Sequence, residues 1–236
     1  PFYCGVISLQ GRIDIMDSVS TQNLHLLPNI LKLKQLLKSF AVLDSILCPE
    51  WDSRFYSYNA HWAAGEEMAS MRNGCGDEYY VLFNAQGCFI KGFAHETAMS
   101  SWGTANQLPW KGILDTVPVE FKDAVTEPAF SMGDISFCIW RTLADDKWNI
   151  GSFDFADDDD PDGSEYLFEL FDGKPASYIA FANDYFEVEL DLSTVAGIYE
   201  QKPLTLEMIY KLNPDVDLEQ VKADLLEIGY TNEIEK

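Results

Sequence analysis

Four ionisable residues flank two apolar runs near the middle of the chain: Asp77 and Glu78 before the first, His95 and Glu96 after the second. An imidazole beside carboxylates can act as a general base or acid, with one carboxylate orienting the ring. Residues 79–83 (YYVLF) are an unbroken aromatic and branched run that suits a buried strand. Asn84, Ala85, Gln86 and Gly87 read as a turn, and residues 88–93 resume the strand with Lys91 as its only charge. In such a hairpin the two outer ends lie side by side, so the four residues share one rim. A solvated strand end gives the same pattern without any chemistry. Arg54 is a candidate partner for a rim carboxylate.

A nucleophile is harder to find. Cys75 and Cys88 are the only cysteines near His95, and Cys88 falls inside a strand, where a thiol packs rather than reacts. His61, Cys75, Cys88 and His95 have separations that match no usual zinc pairing. No nucleophile elbow, P-loop or dinucleotide fingerprint occurs. An acidic chain offers many carboxylate pairs, so glycoside hydrolysis has no specific signal.

One motif matches a metal loop by spacing. Asp158, Asp160, Asp162 and Gly163, followed by Glu169, fit the D-x-D-x-D-G loop with its closing Glu. The context departs from it: a strand leads in, Pro161 stiffens the loop, and Glu165 stands where an apolar residue is usual. The competing reading is a bare acidic loop, so calcium is a weak candidate and no other cofactor is expected.

Charge bears on partners. Residues 1–118 carry 8 Lys/Arg and 11 Asp/Glu, and residues 119–236 carry 8 and 28. The second half repels nucleic acid and anionic lipid and attracts a basic protein. Its expected contact surfaces are the loop at 157–165, with Asp158, Asp160 and Asp162, and the last helix, with Asp217, Glu219, Asp224 and Glu227. Trp102 and Trp110 lie in a Ser/Gly/Pro-rich stretch at 97–112. They either line a binding site or fold back over the sheet.

The elements that position these residues follow from periodicity. Apolar residues at three- and four-residue spacing after Pro28 predict an amphipathic helix that stops before Pro49. Strands are predicted at 51–59, 79–84, 88–93, 135–141, 148–155 and 166–171. Helices are predicted at 61–72, from Pro118, from Pro175, at 204–212 and at 217–228, the last capped by Asp217 and closed by Gly229. Together they predict an α+β domain over residues 23–236: a mostly antiparallel sheet of five or six strands, packed by N-terminal and C-terminal helices. Residues 175–230 are a candidate helical subdomain, and residues 1–22 a loosely held extension. Met16 is a candidate start. No apolar run is long enough to cross a membrane. Five widely spaced cysteines without C-x-x-C suggest reduced thiols and a cytoplasmic protein.

Segments EWDSRFYSYN, GDEYYVLFN, GCFIKGFAHE and PDGSEYL, with the closing helices, resemble uncharacterised bacterial proteins of similar length over residues 28–230. The resemblance implies a bacterial cytosolic origin and no activity. In overall character the chain is also similar to the immunity proteins of bacterial toxin systems, which implies an acidic, non-enzymatic binder.

Overall fold

A computed structural model describes residues 18–104 and 106–234. The fold is α+β, with six antiparallel strands in chain order and helices from both ends of the chain. It divides into two compact units: Arg72–Glu169 with the described part of Pro1–Leu27, and Pro28–Met71 with the described part of Leu170–Lys236.

The first unit is built on β3 (Glu78–Asn84), β4 (Gly87–Phe93), β5 (Phe137–Thr142) and the short β6 (Asn149–Ile150). Each pairs antiparallel with the next, and Asn84 opposes Gly87 across the β3–β4 turn. All seven residues of β4 are buried, as its near-continuous apolar sequence requires. The expected strand at 148–155 shrinks to the two residues that pair with Ile139 and Trp140. The expected strand at 166–171 is helical instead, as α3 (Ser164–Leu167) and a 3-10 turn (Glu169–Asp172). The cause is local: Asp162 accepts from the Ser164 N–H, and Asp160 from the N–H groups of Glu165 and Tyr166. Those carboxylates satisfy the free donors of a first helical turn. The helix expected from Pro118 is a 3-10 turn (Val119–Phe121) running into α2 (Lys122–Thr126).

Residues 18–22 were expected to be loosely held, yet Ser20 and Thr21 are buried. Thr21 donates from its backbone N–H to Ser164 Oγ at 2.9 Å and from its hydroxyl to Asp162 Oδ2 at 2.5 Å. The remainder of the expected extension, with Met16, lies outside the described residues.

The second unit packs α1 (Ile30–Leu47) against β1 (Tyr56–Ala63) and against α7 (Leu218–Ile228). Asn29 caps α1 through the Lys32 N–H. Residues 61–72, expected to be helical, form the end of β1 and β2 (Glu66–Arg72). Gly65 at φ 78° closes the turn between them, and cross-strand pairing overrides the helix preference of Glu, Met and Ala. The helix from Pro175 is α4 (Pro175–Phe186). Asp191 caps α5 (Leu192–Tyr199), and Thr205 caps α6 (Leu206–Leu212), within the helix expected at 204–212. Asp217 caps α7, and Gly229 ends it in the left-handed region, as expected. The Gln220 side-chain amide donates to Asp224 Oδ1 at 3.1 Å. The core of this unit is aromatic: Phe40 meets Tyr56, Tyr178 and Tyr199, and Phe181 meets Phe55, Tyr56 and Tyr185.

Two carboxylates expected to face a partner are consumed by these cores. Asp162 is fully buried among Thr21 and Ser164. Asp224 is buried on α7 and pairs with Arg54 at 2.6 Å. Arg54, expected to pair with a hairpin-rim carboxylate, spends its other hydrogen bonds on the carbonyls of Cys48 and Pro49, at 2.8 Å each. Among the described residues no helix is long and apolar enough to cross a membrane.

Candidate functional site

The hairpin register brings the two outer ends together, with Glu78 opposite Phe93. The four rim residues nonetheless separate into two groups. Glu78 turns to Lys91: its Oε1 accepts from Nζ at 2.7 Å, and the Tyr80 hydroxyl donates to its other oxygen at 3.1 Å. The ammonium is fully buried and lies 5.5 Å from the rings of both Tyr80 and Phe93. Burial pulls the Lys91 amine below its ordinary range, against the pull of Glu78. Burial, with Glu78 beside it, pushes the Tyr80 hydroxyl up to about 12.

This pair behaves as a structural ion pair, which gives an asymmetric expectation. Glu78→Gln strands a buried ammonium and lowers stability by about 2 kcal/mol or more, while Lys91→Met is close to neutral because it removes the charge itself. Urea midpoints of the two variants check the asymmetry.

The second group is Asp77, His95 and Glu96. Residues 73–77 form a tight loop in which Asn73 Oδ1 accepts from the N–H groups of Cys75 and Asp77. Gly74 (φ 74°) and Gly76 (φ 115°) supply its left-handed turns, and the imidazole sits against Gly76, 3.4 Å from where a Cβ would stand. The loop aims Asp77 at His95. Asp77 Oδ1 accepts from the His95 backbone N–H at 2.9 Å and lies 2.7 Å from its Nδ1. A carboxylate only accepts, so Nδ1 carries its hydrogen toward Asp77 and Nε2 turns outward, 3.7 Å from Glu96 Oε1. Asn73 Nδ2 donates to Asp77 Oδ2 at 2.7 Å and to the Tyr166 hydroxyl at 3.3 Å.

Two aromatic residues complete the rim. Trp102 stands edge-on to His95 at 6.1 Å and to Phe93 at 5.2 Å, with its indole N–H donated to Asp134 at 2.7 Å. Trp102 is 53% exposed, Tyr166 41%, and the Glu96 side chain 82%. Of these, Asn73, Asp134 and Tyr166 were not singled out from sequence. The Asn-Gly step followed by Asp77 is the signal for an Asx-closed loop; nothing local marks Asp134. Trp110 is held apart from this network by its N–H bond to the Asp154 carbonyl, and with Leu108 and Pro109 it lines an open hollow of about 230 Å³.

Chemically, the Asp77–His95 contact has the placement of the orienting carboxylate and the base in a catalytic triad, without the nucleophile. Among the described residues no hydroxyl or thiol hydrogen-bonds to Nε2. Cys75 is disulfide-bonded rather than the reduced thiol expected, and Cys88 is buried at the opposite end of β4, roughly 20 Å away at about 3.3 Å per residue. The candidate metal ligands do not gather either. Asp162 is buried, Asp160 caps α3, and Asp158 and Glu169 are exposed, and among the described residues no three or more His, Cys, Asp or Glu could hold an ion. Burial pushes Asp160 up, and pushes Asp162 up to about 6 against its hydroxyl donors. Of the remaining acidic partner candidates, Asp217, Glu219 and Glu227 are exposed on or beside α7. No family model, curated protein or solved structure matches the chain.

Proposed function

We propose that the protein is a non-catalytic, acidic protein-binding module, immunity-like in character, and that its partner is basic. The observation that supports this best is the rim itself: exposed Trp102 and Tyr166 joined by the hydrogen-bonded Asn73–Asp77–His95 chain, with the exposed carboxylate of Glu96 beside them. Rigid aromatic side chains anchor protein contacts, and carboxylates around them suit Lys and Arg. The net charge of -23 adds steering that salt weakens. The reading requires no cofactor, so millimolar calcium should leave the Tm unchanged.

A Lys/Arg-rich peptide is the probe, with its Glu-rich counterpart as control. Trp102→Ala and Glu96→Lys each weaken binding of the basic peptide, the tryptophan variant by roughly thirtyfold, the effect of a 2 kcal/mol anchor. If affinity follows Glu219→Lys and Glu227→Lys instead, α7 carries the contact and the rim does not. The oriented His95–Asp77 pair also supports a second reading, a hydrolase working at this rim. A hydrolase screen in which His95→Ala abolishes turnover while keeping the fold would favour that reading and overturn the first.

A further inference from the structure

Asp44, on the last turns of α1, is a fully buried carboxylic acid with no cation in contact among the described residues. Its Oδ2 accepts the backbone N–H groups of Phe55 at 3.1 Å and Tyr56 at 2.8 Å, and its Oδ1 accepts the Tyr178 hydroxyl at 2.7 Å. It therefore ties together three elements of its unit: α1, the start of β1, and α4. Tyr178, Tyr185, Tyr199 and Cys48, which bear on it, all keep their protons near neutral pH. Tyr178 and Tyr185 on α4 and Tyr199 on α5 are all pushed up, first by burial and then by carboxylates, Asp44 among them. Cys48 is pushed up by burial and by Asp44. Tyr56 donates its backbone N–H, and Arg54 turns its guanidinium to Cys48, Pro49 and Asp224, acting on Asp44 only as a more distant positive charge.

A buried carboxylate without a contacting counter-ion is far costlier than the neutral acid. The neutral acid keeps both N–H contacts at Oδ2, and its own O–H at the other oxygen can donate to the Tyr178 oxygen, reversing the direction of that bond. We propose that Asp44 is a proton-operated latch on residues 48–56: protonated, it locks the start of β1 to α1 and α4, and ionised, it loosens that segment, which presents the half-exposed Trp51. The sign follows from the direction of the shift. Burial raises the acid from 3.8 to about 7, so the folded state keeps a proton that the open state has lost. The stability it contributes is complete below about pH 4 and is lost as pH rises through about 7.

The test is amide hydrogen exchange of the full chain at pH 5 to 8, followed at Phe55 and Tyr56 and corrected for intrinsic exchange. Wild-type protection should fall by roughly a hundredfold across this range, the loss that linkage assigns to such a shift. Asp44→Asn presents an oxygen to the two N–H groups and an amide to Tyr178, so its protection should stay flat. Parallel profiles for the two proteins overturn the proposal. A second measurement stands should the variant not fold: the carbon-13 carboxyl signal of Asp44 in the wild type should titrate near neutral pH, and a midpoint below about pH 5 overturns the latch.

Discussion

Arg54→Met should destabilise the unit that holds it by about 3–5 kcal/mol, a large share of the roughly 5–15 kcal/mol that keeps a domain folded. The guanidinium is buried and paired with the buried Asp224 at 2.6 Å. It also accounts for the carbonyls of Cys48 and Pro49, the last residues before the chain turns toward β1. Methionine fills much of the volume but leaves the Asp224 carboxylate, among the described residues, with only the Gln220 amide for support. An uncompensated buried charge, not the lost attraction, dominates the cost. That identifies the control: Arg54→Met combined with Asp224→Leu should recover most of the loss, because the second change removes the stranded charge. Urea midpoints of the two single variants and the double variant measure the coupling. A double variant no better than Arg54→Met would mean that the carbonyl contacts, rather than the ion pair, are what the arginine supplies.

The Arg54–Asp224 contact joins residues 170 positions apart, and nothing in their surroundings announces it. What the sequence did announce was local. Asp217 and Gly229 bracket α7 because a cap needs only the residues next to it. Asp77 and His95 were legible as neighbours because a hairpin of known register brings its ends together. The same reasoning stopped short where a side chain chose between partners. Glu78 went to the buried Lys91, and Asp162 and Asp224 went inward, although each reads in sequence as one more surface carboxylate. Residues 61–72 misled for the converse reason. Their composition favours a helix, but Gly65 turns the chain and β1 supplies a strand partner. Residues 166–171 look like a strand until Asp160 and Asp162 are seen to cap a helical turn. Composition counts charges; it does not say which of them the fold encloses.

Gly92→Ala should be among the most damaging single changes in the other unit, although it adds one methyl group. Gly92 is the central member of a row in which Tyr79 on β3 and Phe137 on β5 are its direct neighbours. Both aromatic residues are fully buried, and the Phe137 ring packs edge-on against Phe168 at 5.2 Å. The ring occupies the space that a side chain at residue 92 would need: a Cβ there would stand 1.9 Å from Phe137 Cζ, with two more ring carbons within 2.4 Å. The backbone has little freedom to retreat, since the Gly92 carbonyl accepts from the Ser136 N–H at 2.9 Å and the strand is paired on both sides. Overpacking of a close-packed core costs typically about 1–3 kcal/mol, and a fully buried ring between two strands lies at the upper end. The diagnostic is again a pair. Phe137→Leu alone opens a void and lowers stability, by the loss of transfer energy and the cavity left behind. Combined with Gly92→Ala it gives the new methyl group room, so the double variant should be more stable than the sum of the two single losses predicts. Thermal or urea unfolding of the three variants supplies the cycle. Strict additivity would show that the ring does not rest on this glycine, and that the close approach of β4 and β5 is held by the ladder alone.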